Sequence, residues 1–147
     1  MPRWLGFLLI LSMFVVVWGG VHAYLYWRVA YGLELGARDR LTLKIVLVTL
    51  AAVYLAGRGL ERTVGQSVGM PVMWVGAIWM GVVSITFCVL IAFDLWVALP
   101  TWILQRAGAV RAPTAAMILK WGMAAGLVVS AALTGWGLFV ALKGPRL

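Results

Sequence analysis

The groups in this chain able to do chemistry are few and far apart. There is one histidine, His22, one cysteine, Cys88, and four carboxylates, Glu34, Asp39, Glu61 and Asp94. A lone imidazole cannot hold a metal or a haem without ligands from another chain, so hydrogen-bonding or aromatic-belt duty suits His22 better. A single cysteine makes no disulfide within the chain, and Cys88, inside an apolar run, reads as a small core hydrophobe. There is no glycine-rich phosphate loop, no His/Cys cluster, no carboxylate pair within one helix and no nucleophile–base set. No catalytic residue, no metal site and no cofactor is expected, so the chain is not expected to be an enzyme.

Asp94 is the group with the strongest demand on its surroundings. No charge occurs between Arg62 and Asp94, and apolar sequence resumes from Leu95 to Leu104. The uncharged run far exceeds the ~20 apolar residues that span a bilayer, and it lacks the recurring polar face of a soluble helix. A carboxylate near the end of such a helix needs a partner. Arg58 and Arg62, four apart on the preceding helix, and His22 are the candidates for this polar pairing.

The elements that position these groups follow from the apolar runs. The 147 residues are 65% hydrophobic and 11% charged, too apolar to surround a soluble core with a polar surface. The net charge of +8 lies mostly between the runs, at headgroup depth, and does not read as nucleic-acid binding. The expected fold class is an all-α membrane protein, a four-transmembrane-helix bundle. Its helices fall near 4–31, 41–62, 70–104 and 114–142, in a single transmembrane domain over 1–147.

The first run is too long for a signal peptide and has no cleavage site after it, so it reads as a retained helix. Tyr24, Tyr26, Trp27 and Arg28 at its far end form an aromatic and cationic interface anchor, as do Trp96 and Trp102 near the end of the third helix. Gly32 to Arg40 reads as the first loop, and Thr63 to Gly69 as a turn-like connector. Pro71 fits the first turn of the long third helix. That helix exceeds bilayer thickness, and Pro100 is the expected place for a bend. In the last helix Gly122, Gly126, Ser130 and Thr134 form a small-residue stripe for close helix packing, expected within the chain.

Five segments, in order, carry a family resemblance: Gly20-Val-His-Ala-Tyr24, Gly57-Arg-Gly-Leu-Glu-Arg62, Ile78-Trp-Met-Gly81, Phe93-Asp-Leu95 and Ala141-Leu-Lys-Gly-Pro-Arg146. Their order and spacing resemble the amino-terminal membrane domain of bacterial membrane-anchored metallophosphoesterases of the calcineurin-like family. The resemblance spans essentially the whole chain. In that family a soluble domain with an Asp-x-His metal motif follows the membrane helices, and no such motif occurs in these residues. What the resemblance carries over is the membrane domain alone, with His22, Arg58, Glu61, Arg62 and Asp94 at matching positions.

The expected function is therefore a non-catalytic membrane module, an anchor or accessory subunit of a larger membrane protein complex. Its partners are the lipid bilayer and other membrane subunits. One alternative is a fragment of a working membrane-bound, metal-dependent phosphoesterase whose catalytic domain lies elsewhere. Another is a proton or small-ion carrier using His22, Arg58, Arg62 and Asp94. The resemblance implies the bacterial cytoplasmic (inner) membrane, and an excess of positive charge in the first and third loops places both termini outside the cytoplasm. Tryptophan-rich sequence suits a membrane interface better than ring-stacked pigment or quinone.

Overall fold

Lipid offers the backbone no water to bond, and a helix closes its own N–H and C=O groups, so each apolar run winds up. The computed structural model describes residues 3–143. Its order is α1 (Arg3–Gly32), α2 (Ala37–Thr63), α3 (Gln66–Phe93), a π-helical turn (Asp94–Ala98), α4 (Leu99–Arg106) and α5 (Ala112–Lys143), and no strand occurs among the described residues. The side chain of Arg3 lies outside the described residues, as do Gly144, Pro145 and Arg146 of the fifth resembling segment. Four helical stretches are long and apolar enough to cross a membrane: Trp4–Gly32, Ala37–Thr63, Gln66–Arg106 and Ala112–Lys143. The fold is thus all-α, with the candidate spans of a multi-pass membrane protein.

The helices reach further into the connectors than the sequence suggests. Arg38, Asp39 and Arg40, assigned to the first loop, form the opening turn of α2, where Asp39 faces the positive end of the helix dipole. The α1–α2 connector shrinks to Leu33–Gly36. It closes as a Schellman turn, with Leu35 N–H bonding Ala30 O at 3.0 Å and Glu34 N–H bonding Tyr31 O at 3.3 Å. Glu34 therefore holds the left-handed position, at φ 53°, where a glycine would be unstrained. The α4–α5 connector repeats the motif with Gly108 in that place, at φ 74°. Between α2 and α3 only Val64 and Gly65 remain outside the helices.

Two proline expectations change in detail. α3 begins at Gln66, so Pro71 lies inside the helix rather than in its first turn. Gly65, at φ 115°, makes the reversal so tightly that the residues before Pro71 wind into helix as well. Pro100 does disturb the third span, but the irregularity precedes it. Leu99 N–H reaches back five residues to Asp94 O, which defines the π turn. A proline ring crowds the carbonyl four residues before it, here that of Trp96, and this carbonyl lies within the widened turn. From Gln66 to Arg106 the span has 41 residues, roughly 60 Å at ~1.5 Å each, against a bilayer core of ~30 Å.

The chain divides into two compact units. One takes in residues up to Arg28 with Gly36–Trp79, and the other Val29–Leu35 with the chain from Met80 on. In the first, α2 and α3 touch backbone to backbone through three glycines. A Cβ on Gly69 would stand 2.5 Å from Glu61 Cα, one on Gly76 2.7 Å from Tyr54 Cα, and one on Gly57 2.7 Å from Met73 N. In the second, Leu90 and Phe93 of α3 are buried, as are Met123, Gly126 and Ser130 of α5. Cys88 is exposed, which corrects its reading as a core residue. In lipid an outward thiol costs little, so burial does not follow from apolar surroundings.

Candidate functional site

Three hydrogen-bonding ring side chains meet at one place in the first unit. Trp18 and His22 stand one turn apart on α1, and Trp79 ends this unit's part of α3. His22 Nδ1 lies 2.9 Å from the carbonyl oxygen of Trp18, and Trp79 Nε1 donates to His22 Nε2 at 3.1 Å. An indole N–H can only donate, so Nε2 must be the accepting nitrogen. The hydrogen then belongs on Nδ1, where it meets a carbonyl that can only accept. The two contacts together fix one neutral tautomer of His22. Trp18 Nε1 in turn donates to Ala51 O of α2 at 3.4 Å. The Trp18 ring meets the imidazole edge-on, with centroids 4.4 Å apart.

This group links α1, α2 and α3 through three side chains, and His22 at its centre is 8% exposed. Membrane helices have no hydrophobic drive toward one another, so interhelical hydrogen bonds of this kind hold them in register. The sequence marks His22 by its type, whereas Trp18 and Trp79 carry no such mark within their apolar runs. The separation of His22 and Trp79 by 57 residues gives no local indication of contact.

The other site residues take the following places. Arg58 Nη1 bonds Glu61 Oε2 at 2.8 Å within α2, so this candidate partner for Asp94 is engaged one turn along its own helix. Arg62 is exposed at the end of α2, and Asp94 is half-buried at the start of the π turn. His22 has both ring nitrogens occupied within the first unit. In the second unit, Lys120 Nζ donates to Glu34 Oε2 at 2.9 Å, which ties α5 to the α1–α2 connector. A Cβ on Gly122 would overlap the Phe93 ring, and one on Gly126 would lie 3.5 Å from Leu90 Cδ2. Ser130 Oγ donates to Gly126 O and Thr134 Oγ1 to Ser130 O, both at 2.8 Å, so each hydroxyl is satisfied on its own helix.

Of the interface anchors, Tyr24, Tyr26 and Arg28 are half-buried while Trp27, Trp96 and Trp102 are exposed. Arg106 stacks its guanidinium 5.1 Å from the Trp102 ring centroid. Beside the His22 group, α1 and α2 border a cavity of about 450 Å³. Among the described residues no set of three His, Cys, Asp or Glu converges to hold a metal ion. Compared with protein-family models, with curated proteins and with solved structures, the chain matches none.

Proposed function

We propose that this chain is a non-catalytic membrane module, an anchor or accessory subunit of a larger membrane protein complex, of the kind found as the membrane domain of bacterial metallophosphoesterases. The observation that carries the reading is the use made of the polar side chains. Trp18, His22 and Trp79 bond helix to helix, Lys120 meets Glu34, and Arg58 meets Glu61. These groups spend their polar atoms on one another, and large apolar side chains face outward along the helices. Segments that carry the resemblance supply packing contacts, with His22 on Trp79, Gly57 against Met73, and Phe93 against Gly122. The membrane is the bacterial cytoplasmic one in this reading, with both termini outside.

Purification of the full chain from its native membrane in mild detergent, with identification of co-purifying subunits, tests the proposal. Stoichiometric recovery of another membrane protein is the expected result. Recovery of the chain alone, together with metal-dependent hydrolysis of a generic phosphodiester by the purified chain, would overturn it in favour of an enzyme.

A further inference from the structure

The cavity between α1 and α2 has a polar end and an apolar end. Tyr26 and Lys44 line the end nearest the short α1–α2 connector. Tyr26 lies six residues before the last residue of α1, and Lys44 seven after the first of α2, so the two stand at similar depth. Gly19, Leu47, Ala51 and Ala52 line the rest, with Ala51 seven residues beyond Lys44 along α2, or roughly 10 Å at ~1.5 Å per residue. The wall also includes His22, whose two nitrogens are already bonded and which offers only its ring.

Lys44 is exposed and has neither an ion pair nor a hydrogen bond among the described residues. The Tyr26 hydroxyl is likewise without a protein partner among them. A lysine about two turns inside the span extends its ammonium toward headgroup depth, where the phosphate of an acidic lipid is an anion within reach. The chain cannot supply enough anions itself, because four acids face twelve Lys and Arg residues. Glu34 and Glu61 are moreover engaged by Lys120 and Arg58.

We propose that the cavity beside Tyr26 and Lys44 binds a membrane lipid with an acidic headgroup. Its phosphate takes the Lys44 ammonium and the Tyr26 O–H, and its first acyl methylenes lie on Gly19, Ala51 and Ala52. Charge complementarity selects the head, and the apolar floor descending from it selects a chain. The inference rests on the helices crossing a bilayer and needs no partner subunit, so its failure would leave the accessory-subunit reading standing.

Native mass spectrometry of the full chain tests it, with the protein released from vesicles of phosphatidylcholine containing either phosphatidylglycerol or diacylglycerol. Phosphatidylglycerol should be retained over both other lipids, and inorganic phosphate should not displace it. Lys44→Gln should weaken retention about fivefold, the value of one lysine near an anionic headgroup, and Tyr26→Phe by less. Gly19→Leu should also abolish it with Lys44 intact. Nothing lies within 4 Å of a Cβ at Gly19, so a side chain there starts from open space at the cavity wall. Lys143→Gln, a cation of α5 outside the cavity, should leave retention unchanged. Equal retention by wild type and Lys44→Gln, equal loss in Lys143→Gln, retention of diacylglycerol as strong as that of phosphatidylglycerol, or displacement by inorganic phosphate would each overturn the proposal.

Discussion

Trp79→Phe is the sharpest test of how the first unit is held together. It removes the indole N–H that lies 3.1 Å from His22 Nε2 and keeps an aromatic ring on α3. The imidazole cannot compensate by moving its proton, because Nδ1–H faces the Trp18 carbonyl oxygen at 2.9 Å. Transfer to Nε2 would set two acceptors against each other there. The variant thus leaves a buried acceptor unmet, with His22 only 8% exposed. In water-soluble proteins this costs about 1–3 kcal/mol, whereas interhelical bonds inside membranes average about 0.6 kcal/mol and reach about 1.7. About 1 kcal/mol is the expected coupling, toward the upper half of the membrane range because both nitrogens are constrained. Trp79→Phe also shrinks the ring, so the assay must be a double-mutant cycle with His22→Ala, read as unfolding free energy in mixed micelles titrated with a denaturing detergent. Additive losses, within about 0.3 kcal/mol, would show that the bond contributes nothing and refute the reasoning.

Three further outcomes are expected. Gly76→Ala forces a Cβ against the backbone of Tyr54 and should destabilise the chain by about 1–3 kcal/mol, whereas Gly81→Ala on the same helix meets nothing within 4 Å. Gly81→Ala should be neutral or stabilise by up to about 1 kcal/mol, and equal melting shifts for the two would contradict the close α2–α3 contact. Asp94→Ala, at a half-buried carboxylate within a span, should cost about 3–5 kcal/mol if the carboxylate is paired. Glu34→Ala, whose pair with Lys120 is mostly exposed, should cost less than about 1 kcal/mol. Matching losses in detergent melts would mean that Asp94 reaches headgroups or water. An alkaline phosphatase fusion at Leu147 should be active, since that reporter works only after export, and a silent fusion with an active cytoplasmic reporter at the same place would reverse the orientation.

What the sequence determined by itself is the helical inventory. Apolar runs long enough to span a bilayer must satisfy their own backbone hydrogen bonds in lipid, and each of the four became a helix. The position of Asp94 near the end of an uncharged run likewise marked it as a polar group in a costly place. Helix ends were less legible. Asp39 and its neighbours look like loop residues by polarity, yet they wind into α2 because Gly36 and the left-handed Glu34 reverse the chain before them. Only the tertiary structure decided which faces meet. A soluble helix shows its inward face by where its apolar residues recur, but helices apolar on every side carry no such mark. Hence the outward Cys88, the glycine contacts of α2 with α3, and the bond from Trp79 to His22 were hidden. Gly69 and Gly76, seven apart on one face of α3, were the nearest thing to a legible sign. Their partners Glu61 and Tyr54 are set by the two-residue turn at Val64 and Gly65, which fixes the register of the α2–α3 pair.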